Sequence, residues 1–213
     1  MLKAKVTKKL FYDEYPYKLV VRNSLGHIFR DKNLKNARDE LDILQLQYEK
    51  GESLRRGSYR IFTYDIPTFK EAKILYRLLK NVNEYKLRVE NPRLQIYSHS
   101  LSFLQNISKK VRHPEELWMP EVPLDKNTIL VNKPMPYNIK VTIQNLNVST
   151  SLAKWIRSNP KLAKAGPVCL SEIEKDGYTN GYYFYVRDEK VLSIVSLMVG
   201  NNFRVDKIVC NKI

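Results

Sequence analysis

The sequence predicts an α+β protein with antiparallel sheets, helices packed on one face, and two halves joined by a Pro-rich crossing. Three observations predict it. Short segments with two-residue alternation recur between longer segments with three-four spacing. Each half reads strand–helix–strand with a hairpin, the order of ferredoxin-like split β-α-β units. Five of the ten prolines fall at 114, 120, 123, 134 and 136, the one clear shift in composition. The expected division is therefore residues 1–113, a crossing over 114–137, and residues 138–213, which could still form one continuous domain.

The elements follow in order. Residues 1–9 carry four lysines and read as a mobile arm. YKLVVR (17–22) alternates as a strand. Residues 33–51 place Leu34, Ala37, Leu41, Leu44 and Tyr48 at helical spacing, with Gly51 as the stop. YRIFTYDI (59–66) alternates as a strand. Residues 67–81 form the clearest helix, with Thr68 and Glu71 spaced as a capping box and Lys70, Lys73, Arg77 and Lys80 on one face. YKLRVE and RLQIYS flank Asn91-Pro92 as a hairpin. Residues 100–113 make an amphipathic helix with Lys109, Lys110 and Arg112 at its cation-favouring end. Beyond the crossing, 137–146 is a strand and 149–164 a helix broken at Asn159-Pro160. VCLSEIE and YYFYVRD bracket a turn, 191–200 is a strand or a buried helix, and FRVDKIVC closes as a strand.

Charge narrows the function. The net charge is +15, from 37 basic and 22 acidic residues. Residues 1–113 hold 24 of the basic and 12 of the acidic ones. Such a surface suits a phosphate polymer first and an anionic membrane second, with an acidic protein as a further candidate partner. Two cysteines far apart, Cys169 and Cys210, match no metal spacing and no disulfide scaffold. Residues 1–18 lack the apolar run of a leader, and no stretch approaches a membrane span. The expectation is a cytoplasmic protein, or one inside a virus-infected host cell, with no membrane partner and no cofactor.

Once core faces are assigned by alternation, the leftover side chains repeat a theme. YKLRVE leaves Lys86, Arg88 and Glu90. RLQIYS leaves Arg93, Gln95 and Tyr97. NIKVTIQ leaves Lys140, Thr142 and Gln144. NGYYFYVRDEK sends Tyr182, Phe184 and Val186 inward and leaves Tyr183, Tyr185 and Arg187. Cations neutralise phosphates, and a tyrosine ring gives an unstacked base a platform worth about 1–3 kcal/mol. Arg55, Arg56 and Arg60 around Gly57 add a candidate phosphate clamp.

VTIQNL (141–146) and NGYYFYVR (180–187) resemble, in part, the two sheet signatures of the RNA recognition motif. The resemblance covers the C-terminal third and departs from the family at several positions. Thr142 replaces an aromatic, Asn180 a basic residue, and Tyr183 a small one. It implies exposed rings at Tyr182 and Phe184, the face that alternation assigns to the core. It is a partial similarity and does not amount to the family's motifs.

Catalysis has little footing. The seven glycines form no phosphate loop, and no Cys/His metal site can be built. Asp65 with Glu84-Tyr85-Lys86 superficially resembles the Asp…Glu-x-Lys arrangement of metal-dependent nucleases. The sequence thus predicts, first, a non-enzymatic protein that binds RNA or single-stranded DNA on a basic, tyrosine-bearing sheet. Its candidate contacts are Lys86, Arg88, Arg93, Tyr97, Arg55, Arg56, Tyr183, Tyr185 and Arg187. The alternatives are a viral or phage structural protein and, third, a nuclease.

Overall fold

Where the sequence alternates, the chain extends. The computed structural model describes residues 2–30, 34–56, 59–60, 66–90, 92–144, 148–200 and 202–210. The chain divides into two compact units, Met1–Pro123 and Leu124–Ile213. Among the described residues they hold six α-helices, two five-stranded mixed sheets and one two-stranded sheet, an α+β architecture.

The first unit contains β1 (Lys3–Thr7), β2 (Tyr17–Arg22), a 3-10 turn (Gly26–Phe29), α1 (Leu34–Glu49), the short pair β3 (Arg55–Arg56) and β4 (Tyr59–Arg60), and α2 (Ile66–Leu79). It continues with β5 (Tyr85–Glu90), β6 (Arg93–Ser98), α3 (Leu101–Lys110) and β7 (Pro114–Pro120). Its sheet runs β1-β7-β2-β6-β5. β1 is parallel to β7, and every other neighbour is antiparallel. The core gathers Leu19, Val21, Leu94, Ile96 and Leu117 from the sheet against Leu41, Leu44, Leu75, Leu79, Leu104 and Ile107 from the helices.

The second unit contains β8 (Thr128–Val131), β9 (Ile139–Ile143), α4 (Thr150–Ser158), β10 (Ala163–Ala165), α5 (Pro167–Glu174), β11 (Tyr183–Val186), α6 (Glu189–Val199) and β12 (Phe203–Cys210). Its sheet runs β10-β11-β9-β12-β8, with only β8 and β12 parallel among the described pairs. Val141, Phe184 and Val186 pack against Leu152, Ile156, Ile173, Val191 and Val195. Polar caps set the helix starts: Ser100 accepts from the Phe103 amide at α3, and Asp188 accepts from the Val191 amide at α6.

The two units share one connectivity. In each, four strands take the order last-first-third-second, and an extra N-terminal strand lies parallel on the outside of the last. These are β1-β7-β2-β6-β5 and β8-β12-β9-β11-β10. Helices connect first to second and third to last in both, while the second-to-third link is a tight hairpin in the first unit and helix α5 in the second. No sequence repeat accompanies this.

Several expectations change. Residues 3–7 are an edge strand and not a mobile arm, held by the parallel ladder to β7 and a Lys5–Glu116 ion pair. The segment 114–137 holds β7 and β8. Pro114 and Pro120 open and close β7, where a missing N–H is tolerated, so these two belong to the first unit's sheet and not to a linker. The unit boundary falls after Pro123. VCLSEIE is helical, since Pro167 starts α5 and Cys169, Leu170 and Ile173 bury one face. Of YRIFTYDI, Tyr59–Arg60 form β4 and Ile66 opens α2, while 61–65 lie outside the described residues. Because α2 begins before Thr68, Thr68 and Glu71 do not cap it; Glu71 is buried and accepts from the Arg112 and His113 amides.

Phe184 has none of its surface exposed. Phe184→Ala is expected to lower stability by about 3–5 kcal/mol in urea unfolding, as a large core truncation does. A cost below about 1 kcal/mol would place that ring on the surface instead.

Candidate nucleic-acid interface

In both units the helices pack on one face of the sheet, and alternation sends a second set of side chains to the other face. Strand register arranges that set in rows. In the first unit one row crosses all five strands: Lys86 on β5, Tyr97 on β6, Lys18 on β2, Trp118 on β7 and Lys5 on β1. Cation and ring alternate along it. In the second unit the row is Lys164 on β10, Tyr185 on β11, Lys140 on β9 and Asp206 on β12. Lys–Tyr–Lys thus occupies the second, third and first strands of both sheets.

The cations lie against ring faces. Lys18 Nζ is 4.4 Å from the Trp118 ring centre and 4.9 Å from that of Phe11. Lys5 lies 4.9 Å from Trp118, Lys86 3.8 Å from Tyr12, and Lys140 3.9 Å from Tyr183. Such pairs contribute roughly 0.5–2 kcal/mol, more when desolvated. Burial lowers the Lys18 ammonium from its ordinary value, with Glu116 acting in the opposite direction. The hydrogen bond from Lys5, with a second from the Trp118 indole, holds Glu116 below the usual carboxylate range.

A strap from the first unit's own chain lies on this row. Residues 8–16 turn back on themselves between β1 and β2, and Tyr12 and Asp13 both take φ of 57°. The Glu14 amide bonds to the Phe11 carbonyl across them. Left-handed backbone is unusual for a bulky residue and costs about 1–2 kcal/mol each. The turn places Phe11 and Tyr12 over Tyr97, at ring separations of 5.4 and 4.9 Å. Tyr97 is consequently buried, 4% exposed, although it points to the helix-free face. The exposed ring on this face is Tyr12, at 44%.

The remaining candidates fall as follows. Lys86, Arg88 and Arg93 are exposed on that face. Arg88 pairs with Glu90 at 2.7 Å and Arg93 with Glu115 at 2.8 Å. Tyr183 is 45% exposed and Tyr185 half-buried, their rings edge to face at 5.6 Å. Arg187 is exposed beside Asp188 at 2.8 Å. Arg55 and Arg56 form β3, with side chains outside the described set, as is Gly57. Tyr182 is half-buried and Phe184 fully buried, so the ring positions implied by the RNA recognition motif resemblance belong to the core. Asp65 lies outside the described residues, and Glu84 is exposed just before β5. Burial pushes the Cys169 thiol up to about 11.

No protein-family model, no curated protein and no solved structure matches this chain. Among the described residues, no helix is long and apolar enough to cross a membrane, and no three His, Cys, Asp or Glu side chains stand together to hold a metal.

Reasoning from sequence missed Tyr12 and Lys18 and read Lys5 only as part of a basic terminal arm. Alternation in YKLVVR already put Lys18 opposite Leu19. The places of Lys5 and Trp118 in the row depended on recognising β1 and β7 as strands, and that of Tyr12 on the turn between β1 and β2.

Burial, then the neighbouring Tyr12, raises the Tyr97 phenol above its ordinary value near 10. Above that pH the folded chain keeps a proton that the unfolded chain has released. The stability is therefore complete below pH 10 and is lost as pH climbs toward the raised value. Tyr97→Phe is expected to flatten the alkaline fall in stability, measured by urea midpoints at rising pH. An unchanged fall would mean that this hydroxyl is solvated.

Proposed function

We propose that the protein binds single-stranded nucleic acid, RNA or single-stranded DNA, on the helix-free faces of its sheets, with limited sequence preference. One observation carries this reading: the same Lys–Tyr–Lys row stands on equivalent strands of both units. Lysines spaced across a sheet suit a phosphate backbone. Tyr12 and Tyr183, each nearly half exposed, suit stacking on bases that are free of a duplex. The strand order supports it too, read as ferredoxin-like split β-α-β units with an added edge strand. Arg88, Arg93 and Arg187 extend the cationic surface, each partly neutralised by a carboxylate.

A second reading, a structural or assembly protein, has its own support. On α6, Leu197 is 89% exposed and Ile194 43%, an apolar stripe suited to a protein contact. Light scattering separates the two: a concentration-dependent oligomer lost in Leu197→Lys, with no oligonucleotide binding, favours assembly.

Fluorescence anisotropy on labelled single strands tests the first reading. Affinity should fall steeply with salt, and Lys86→Gln or Lys164→Gln should each reduce the logarithmic salt slope by about 1. Tyr183→Ala should weaken binding by about 1–3 kcal/mol. A slope near zero, or tighter binding to duplex, would overturn it.

A further inference from the structure

At the end of β2 the first unit's sheet runs into a cleft that the rows above do not use. Its inner part, about 360 Å³, is lined by Arg22, Asn23, Ser24, Thr68, Glu71 and His113. Its outer part, about 570 Å³, shares Arg22 and His113 and adds Lys3, Arg93 and Arg112. Both volumes fall in the range of clefts that hold small ligands, roughly 300–1,000 Å³.

Two buried polar groups line the inner part. Asn23 is 3% exposed. Its Oδ1 accepts from the Leu25 amide at 2.9 Å, which fixes the orientation of the side chain. Its Nδ2 has no hydrogen-bond partner. A buried donor left unmade is costly, and such groups in folded proteins usually await a ligand or water. Glu71 is 7% exposed. Both its hydrogen bonds, from the Arg112 and His113 amides, fall on Oε1. Oε2 bonds to nothing else among the described residues. The inner cleft thus offers one amide donor and one carboxylate acceptor.

The charges differ between the two parts. A carboxylate inside repels an anion. Outside, Glu115 pairs with Arg93 and Glu116 with Lys5, whereas the side chains of Lys3, Arg22 and Arg112 have no carboxylate partner among the described residues. A neutral group with donor and acceptor inside, and a phosphate outside, describes a nucleotide.

We propose that this cleft takes one unstacked base bearing an exocyclic amino group from the strand bound on the sheet, with its phosphate held by Lys3, Arg22 and Arg112. The inference rests on the proposed binding of single strands. The amino group donates to Glu71, and the neighbouring ring nitrogen accepts from Asn23. In uracil and thymine the N3–H can donate to Glu71 and one flanking carbonyl can accept from Asn23, but the lone pairs of the other carbonyl then face the carboxylate and oppose binding.

Oligocytidylate and oligouridylate of equal length isolate this chemistry, because both are pyrimidine strands of equal charge. At neutral pH the wild-type chain should bind the cytidine strand tighter by roughly fivefold or more. Glu71→Gln keeps an acceptor for the Arg112 and His113 amides but can present a donor in place of Oε2. Asn23→Ser keeps an acceptor for the Leu25 amide and removes the donor. Each variant should abolish or reverse the preference and leave the salt slope unchanged. Equal wild-type affinities with steep salt dependence would overturn the cleft and spare the single-strand reading. Binding of neither strand would overturn both. A preference that survives both substitutions would also overturn the cleft. The wild-type ratio decides even if a variant does not fold.

Discussion

A lysine set between aromatic faces on a pleated sheet constrains the rest of this molecule. The ammonium group keeps its charge at low cost only while a ring or a carboxylate replaces part of its hydration. Lys18 shows the balance: burial lowers its pKa, and Glu116 and the Trp118 ring support its charge. The arrangement needs helices confined to the other face and an unshifted register. A slip of one residue along β2 would bring Leu19 to the cationic side and send Lys18 into the core. Hydrophobic packing and the surface row therefore specify the same pairing.

The two units meet this constraint differently. In the second, Lys140 Nζ lies 3.9 Å from the Tyr183 ring, which is itself nearly half exposed. In the first, the strap of residues 8–16 supplies Phe11 and Tyr12, and Tyr97 becomes a supporting ring beneath them. The equivalent connection in the second unit, residues 132–138, instead directs the Tyr137 hydroxyl to the Pro160 carbonyl at 2.7 Å.

How much was legible in the sequence follows from the range of the interactions. The hairpin of β5 and β6 was readable in full, because both strands alternate and meet within two residues of Pro92. The outward placement of Lys140, Thr142, Tyr183 and Tyr185 was readable for the same reason. The burial of Tyr97 was not, since its cover arrives from Phe11 and Tyr12, far away in the chain. β1 was not, since its only strand partner, β7, lies more than a hundred residues on and begins and ends in proline. The cleft at Asn23 draws Glu71 and His113 from separate elements, so no local pattern announces it. The shared connectivity was visible in the order of elements and not in any residue match.

The position of the row's outermost lysines has one more result. Lys5 lies on β1 and Lys86 on β5, the two margins of the first sheet, and Lys164 lies on β10 at one margin of the second. A marginal strand leaves half its backbone amides and carbonyls unpaired, a template onto which another chain can add itself, and charge there discourages growth. In the proposed function these lysines act twice, toward a polyanion and against self-templated fibrils. The β8 margin, with the sequence TILV, carries no lysine of its own.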